Sequence, residues 1–182
     1  MTGSGPRLDG VSDAIAAASW FAAVGEAWTA ADQSEAESYA NTLQPDALRI
    51  AIAHDWHDAA RITQDTGWSR TWWNVEEQQR QELTLAAEHL FGRHAVMTAL
   101  SAVMAMAGDL VHGKAALAAA RAGIADPALT RVAAGAAAMA CHQLAVATIA
   151  QAPEDHPFGI KFRLFAAGRW PLCVVGESLY VF

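Results

Sequence analysis

Alanine is concentrated in one part of this sequence and constrains its fold more than any other feature. Twenty of the fifty residues in the range 101–150 are alanine, on either side of a break at residues 123–127. Alanine has the highest intrinsic helix propensity, and its small side chain lets two helix backbones approach closely. Gly123 suits the end of one helix, whereas Asp126 and Pro127 suit the start of the next. The block therefore predicts two antiparallel helices packed on each other.

Helical patterns also precede this block. Asp9 or Ser12 can cap a first helix that continues to Val24, and a second helix is expected from Trp28 to Leu43. Pro45 or Asp46 then suits the start of a third helix, which runs through Ile62. The second helix of the alanine block is expected to end near Ala152.

A long helix is expected between the aromatic turn at residues 68–73 and the alanine block. Its apolar stripe recurs at alternating steps of three and four: Leu83, Ala87, Leu90, His94, Met97, Ser101 and Met104. Asn74 is expected to cap this helix. Gly92, Gly108 and Gly113 are positions where it can bend or break.

The end of the chain has a strand pattern. Two apolar runs, 170–175 and 179–182, surround a Gly-Glu-Ser turn, which predicts a hairpin over 170–182 whose apolar end docks on the rest of the chain. A length of 182 residues is typical of one domain. The expected fold class is therefore all-α: a single-domain antiparallel helical bundle over residues 9–182 with a short C-terminal β-hairpin, after a disordered tail at residues 1–8.

Charge and composition limit the partners and the compartment. The net charge is −7, with 12 Lys+Arg against 19 Asp+Glu and no basic run, which argues against nucleic acid and anionic membranes as partners. The uncharged stretch 132–150 approaches membrane-span length, but its alanines and His142 favour a buried soluble helix. Cys141 and Cys173 lack metal-site spacing and are expected to be buried thiols. We therefore expect a cytoplasmic protein, whose cofactor, if any, the sequence leaves unknown.

The alanine block brings three polar residues towards one level. If the chain reverses near residue 125, His142 lies level with Gly108 on the preceding helix. Asp109 and His112 lie within about one turn of that level and share a helix face. The three residues form either a hydrogen-bonded polar group of the core or a catalytic site for proton transfer or metal binding. Gly108 and Gly113 flank Asp109 and His112, which favours a site because glycine is costly inside a helix.

A second polar cluster, His54, His57 and Asp58, has spacing compatible with a metal site. His54 shares a helix face with each of the other two. The alternative is a solvated helix face with Trp56 turned into the core.

Aromatic and sulfur-containing side chains are candidates for ligand binding. They are Trp56, Trp68, Trp72, Trp73, Met104 and Met139. They predict either the wall of a hydrophobic pocket or a partner surface, since tryptophan is enriched at both, or a structural staple between helices. Lys161, Arg163 and Arg169 are expected to pair with the excess carboxylates rather than with an anionic ligand.

Two function classes follow from these features. The first is a non-catalytic helical protein-binding or accessory protein that acts through an apolar, tryptophan-containing surface on a protein partner or on a second copy of itself, as a homodimer. The alternative is a small helical enzyme acting on a hydrophobic small molecule at an inter-helix pocket, with Asp109, His112 and His142 as catalytic residues.

Overall fold

The computed structural model describes residues 5–43 and 48–182, which form seven helices and a three-stranded sheet. The helices are α1 (Asp9–Ala17), α2 (Ala30–Leu43), α3 (Trp56–Thr63), α4 (Arg70–Phe91), α5 (Arg93–Arg121), α6 (Pro127–Ile149) and α7 (Pro157–Ala166). The strands are β1 (Arg49–Ile52), β2 (Pro171–Val175) and β3 (Ser178–Val181). Residues 1–4 of the expected disordered tail, and residues 44–47 where a third helix is expected to begin, lie outside the described residues.

The sheet is larger than the hairpin that the sequence predicts. Its strand order is β1-β3-β2, with β2 antiparallel and β1 parallel to the central strand β3. The helix predicted to run from residue 45 or 46 through Ile62 is wrong over Arg49–Ile52, which forms β1. Ile50 and Ile52 favour a strand, but the partner strand lies near the other end of the chain. Local patterning therefore gave no sign of the pairing.

The boundary inside the alanine block lies where the sequence places it. Gly123 ends the turn after α5 with φ +72°. The Asp126 side chain accepts hydrogen bonds from the backbone N–H groups of Ala128 at 2.8 Å and Leu129 at 3.1 Å, and so caps α6. α5 and α6 pack on each other more extensively than any other two elements.

The predicted aromatic turn is mostly helical. Ser69, rather than Asn74, caps α4: its hydroxyl accepts from the Trp72 N–H at 3.2 Å. Its own N–H donates to the Val174 carbonyl of β2 at 2.7 Å, so a tertiary contact fixes where the helix begins. Gly92, with φ +82°, separates α4 from α5 as predicted, whereas α5 continues through Gly108 and Gly113.

The main core joins the first and last parts of the described chain. α1 ends at Ala17 instead of Val24 because the Ser19 N–H donates to the Ala166 carbonyl of α7 and the chain turns away. Trp20 then packs on the aromatic rings of α7, and Phe182 is 1% exposed. The apolar end of the chain is therefore docked, as predicted.

Two helices, α5 and α6, are long and apolar enough to cross a membrane by length and composition, each with a mean hydropathy of 1.5 over its most apolar window. A core helix of a soluble protein meets the same criteria. The two differ in their surroundings, because 56% of that window is buried in α6 and only 28% in α5. Among the described residues, α5 is therefore buried along one side and is less fully enclosed than α6.

Candidate functional site

Two tryptophans at the start of α4 are exposed and contact each other. Trp68 is 40% exposed and Trp73 is 52% exposed. Their rings meet edge to face, with centroids 6.5 Å apart, an arrangement that the charge distribution of aromatic rings favours. We call Trp68 and Trp73 the tryptophan pair.

The backbone under the tryptophan pair is held from two sides. Trp68 forms an isolated antiparallel bridge with Val175 at the edge of the sheet. Ser69 bonds both to β2 and to the first turn of α4. Trp73 lies within that first turn. The pair is therefore exposed on regular structure, which places side chains more accurately than a free loop does.

The structure separates the other predicted ligand-binding residues from this pair. Trp72 is buried against Tyr39 in a small second core cluster. Trp56 is buried in the main core, where its ring lies 5.5 Å from that of Phe182. Met104 is half-buried on α5, and Met139 is 46% exposed on α6.

His142 lies among charges other than those predicted. It is half-buried on α6, and the charges that act on it belong to Glu77 and Arg80 of α4. Burial, reinforced by the positive charge of Arg80, lowers the pKa of His142 below its usual value. Its Nδ1 atom is buried and has no hydrogen-bond partner among the described residues.

Glu77 and Arg80 form the ion pair beside His142. The Arg80 Nε donates to the Glu77 carboxylate at 2.8 Å, and Gln81 donates at 2.9 Å. These two hydrogen bonds lower the pKa of Glu77 to about 2. Asp109 and His112 are both exposed on α5, and within the described residues neither has a hydrogen-bond or ion-pair partner.

The histidines at the start of α3 are also exposed. Asp55 caps this helix by accepting from the Asp58 N–H at 2.8 Å. The Asp58 carboxylate accepts from the His54 backbone N–H and from Arg61, and the Arg61 contact lowers the pKa of Asp58. Across the part of the chain that the structure describes, no three His, Cys, Asp or Glu side chains are grouped so as to hold a metal ion. His54, His57 and Asp58 are thus not arranged as a metal site in this structure.

The basic residues near the end of the chain pair with carboxylates, as predicted. Each has a separate partner, in the pairs Lys161–Glu76, Arg163–Glu35 and Arg169–Asp32. Glu76 also accepts a hydrogen bond from the buried Tyr39 hydroxyl at 2.8 Å. Burial and the charge of Glu76 raise the pKa of Tyr39 well above its usual value. The sequence contained no signal for these carboxylate partners, because each lies far away along the chain.

The two cysteines are free. Burial raises the pKa of Cys141 to about 12 and that of Cys173 to about 11. The reactive thiolate is therefore scarce at neutral pH, and neither residue has the environment of an activated nucleophile.

A cavity of about 590 Å³ lies between α1, the C-terminal part of α6 and the start of α7. Its walls are mainly small or apolar, including Val11, Leu144 and Phe162, and its polar side chains include His156 and Arg163. The Arg163 Nη1 donates to the Glu154 carbonyl at 3.1 Å. None of the site residues predicted from the sequence lines this cavity.

Comparison of the chain with protein-family models, with curated proteins and with solved structures gives no significant match.

Proposed function

We propose that this protein is a non-catalytic binding protein that recognises a protein partner through the tryptophan pair. The observation that carries this proposal is that about half of each ring is exposed on a backbone anchored to both α4 and β2. Tryptophan is the residue type most enriched among those that dominate binding energy at protein interfaces. The exposed area has no evident role in folding.

The available binding energy is large enough for a specific contact. A tryptophan buries about 150–250 Å² when it is fully covered, so covering the exposed half removes on the order of 100 Å² per ring. At about 25 cal/mol per Å² this is about 2.5 kcal/mol for each residue. The two residues together reach the scale of an interface hot spot, before the entropic cost of association is subtracted.

The scaffold in this proposal is an antiparallel helical bundle. The extensive packing of α5 on α6 across a connection of only five residues, 122–126, supports it. The net charge of −7 favours a partner whose contact surface has an apolar centre and a neutral or basic rim.

The proposal is tested by photo-cross-linking in the cell of origin and then by titration. A photoreactive phenylalanine analogue replaces Trp73 and, as the control, exposed Gln64 of the α3 C-terminus. We expect a defined protein to be captured at position 73 and not at position 64. The captured protein, once purified, should bind the Trp68→Ala and Trp73→Ala variants at least tenfold more weakly than the wild type. Both variants should unfold in urea as the wild type does. Equal capture at both positions, or affinities within twofold of the wild type, contradicts the proposal.

A second candidate function is binding of a hydrophobic small molecule, favoured by the cavity between α1, α6 and α7. Its volume of about 590 Å³ lies within the usual range for ligand pockets. Anilinonaphthalene sulfonate, which combines apolar rings with an anionic group, is a suitable probe. We expect the wild type to bind this probe saturably. Ala14→Phe, which fills the cavity, should abolish the binding, whereas Ala86→Phe on the exposed side of α4 should leave it unchanged. Identical binding by both variants rules out this cavity as the site.

A further inference from the structure

The cavity between α1, α6 and α7 is kept open by small residues on two of its walls. α1 contributes Gly10 and Ala14, and α6 contributes Ala147. A Cβ atom added at Gly10 would meet no atom within 4 Å, so the described chain leaves space beside this residue. α1 is nevertheless held in place, because Val11 and Ile15 are buried in the main core. The space therefore lies between anchored helices.

The guanidinium group of Arg163 reaches back to the start of α7. Its Nη1 atom donates to the Glu154 carbonyl at 3.1 Å, although Arg163 belongs to the second half of the helix. A Cβ atom added at Gly159 would lie 3.1 Å from that carbonyl oxygen and 3.8 Å from the Arg163 Nη1. Because Gly159 has no side chain, the guanidinium can lie along α7 as far as residue 154. All three residues line the cavity.

His156 adds a second hydrogen-bond donor close to Glu154. Its Nδ1 atom accepts a hydrogen bond from the Phe158 N–H at 3.2 Å and so caps α7. In a neutral imidazole one ring nitrogen accepts and the other carries the proton, so this cap places the proton on Nε2. Burial lowers the pKa of His156, with the Asp155 charge acting in the opposite direction, which favours the neutral form at neutral pH. Nε2 has no hydrogen-bond partner among the described residues.

The charged side chains of this cavity are mostly positive. Arg163 is paired with Glu35 through Nε, as the sequence predicts, but within the described residues its Nη2 atom has no partner. Arg7 is exposed and has no ion-pair partner in the described part of the chain. Glu154 is the one carboxylate residue that lines the cavity in the described structure. Two arginines thus face one carboxylate, in a chain whose net charge is −7.

These donors and the apolar walls together define the ligand. Val11, Leu144 and Phe162 require an apolar body. The free donors of Arg163 and His156 require an acceptor, and an anionic acceptor forms hydrogen bonds roughly twice as strong as a neutral one. A carboxylate also matches the planar fork of a guanidinium, whereas an ammonium group can only donate and would be repelled by it.

We propose that the cavity between α1, α6 and α7 binds an apolar molecule with a single carboxylate, whose oxygens accept hydrogen bonds from the Arg163 Nη2 and the His156 Nε2. This inference rests on the second candidate function, the binding of a hydrophobic small molecule, and adds the chemical class of the ligand. It does not depend on the tryptophan pair, which lies at the start of α4.

Isothermal titration calorimetry with molecules that share one alkyl chain tests the ligand class. The ligands are decanoate, 1-decanol and decylammonium, which differ only in the polar end. We expect decanoate to bind saturably and at least tenfold more tightly than the other two. Ala14→Phe should abolish this binding, and Ala86→Phe on α4 should not change it. 2-Naphthoate, which carries the same carboxylate on flat rings, shows whether an aromatic body fits better than an aliphatic one.

Substitution of the two donors tests their roles. Arg163→Gln removes the guanidinium, and His156→Asn removes the Nε2 donor while it retains a side chain that can cap α7. Each should weaken decanoate binding at least tenfold and change 1-decanol binding less than twofold. The control is Arg131→Gln, because Arg131 is exposed and lies about 20 Å along α6 from Leu144. It should bind both ligands as the wild type does, and urea unfolding shows whether each variant is folded.

The outcomes separate this inference from the function on which it rests. If the three alkyl ligands bind equally and Ala14→Phe abolishes their binding, the cavity binds apolar molecules but the carboxylate preference is wrong. A preference for decanoate that neither Arg163→Gln nor His156→Asn reduces would overturn the assignment of the two donors. If none of the ligands binds, both the inference and the second candidate function are wrong.

Discussion

His142 is half-buried on α6 beside the Glu77–Arg80 ion pair, and this position couples its protonation to folding. Burial lowers its pKa in the folded state, with the Arg80 charge acting in the same direction. The unfolded chain therefore takes up the proton first as the pH falls. Above the pKa of His142 in the unfolded chain, near 6.5, this residue does not affect folding stability. Stability decreases as the pH falls from that value towards the lower pKa of His142 in the folded protein.

This coupling predicts how a His142→Gln variant responds to pH. Lowering the pH from 7.5 to 5 should cost the wild type more stability than the variant, by up to about 1.4 kcal/mol for each unit by which the pKa is lowered. The measurement is the urea unfolding free energy of both proteins at the two pH values, with His89→Gln on the exposed side of α4 as the control. A difference between wild type and His142→Gln that does not change with pH contradicts the prediction.

The roles of individual side chains could be predicted from the sequence only in part. The charge balance correctly predicted that Lys161, Arg163 and Arg169 pair with carboxylates. It did not identify Glu76, the buried partner of Lys161, because the two residues are far apart in the sequence and meet only when α4 and α7 take their places in the fold. His142 was expected to lie beside Asp109 and His112 of α5, but the charged residues that act on it come from α4.

At the scale of elements, the loop after α1 and the turn after α7 fix each other. Gly168 has φ +89°, and a Cβ atom added there would lie 2.7 Å from the Ala23 backbone nitrogen. The Ala23 N–H donates to the Gly168 carbonyl at 3.2 Å, and Arg169 donates to backbone carbonyls of the same loop, including Glu26 at 2.9 Å. The two segments therefore touch backbone to backbone.

This close approach predicts a large effect for Gly168→Ala. The substitution adds both a left-handed backbone strain and a steric clash, and we expect it to lower the free energy of unfolding by about 2–4 kcal/mol. Gly176→Ala is the matched control, since Gly176 also has a positive φ, +58°, but faces open space. It should cost about 1 kcal/mol. Equal costs in urea unfolding would show that the contact with Ala23 does not matter.

Elements were predictable where local chemistry decides them. Asp126 and Pro127 begin α6, and Gly92 separates two helices, because caps and positive φ act within a few residues. The start of α4 was missed because Ser69 is held by β2. β1 was missed because it pairs with β3, which lies far from it along the sequence.

At the scale of the whole molecule, the last strand connects the sheet to the core. β3 lies between β1 and β2, and Phe182 exchanges two backbone hydrogen bonds with Trp170, at 2.6 and 2.8 Å. Leu179, Val181 and Phe182 are each at most 1% exposed. Together they bury apolar surface contributed by both core clusters.

This position predicts that a variant lacking residues 179–182 does not fold. Burial of a large apolar side chain contributes about 1.5–3 kcal/mol, so three of them approach the 5–15 kcal/mol that stabilises a typical domain. Circular dichroism should show no cooperative thermal transition for this variant, whereas Glu177→Ala in the exposed turn should unfold as the wild type does. A cooperative transition in the shortened protein would contradict the central role of β3.

The sequence by itself determined the helical character of this protein, the boundary at residues 123–127, the strand-forming end of the chain and the pairing of its basic residues with carboxylates. These properties depend on helix propensity, caps, alternation and charge balance, which act over a few residues or over the whole composition. Only the tertiary structure decided that Arg49–Ile52 is a strand, that Trp56 and Trp72 are buried while Trp68 and Trp73 are exposed, and that His142 faces α4. Each of these depends on contacts between residues far apart in the chain, which no local pattern encodes.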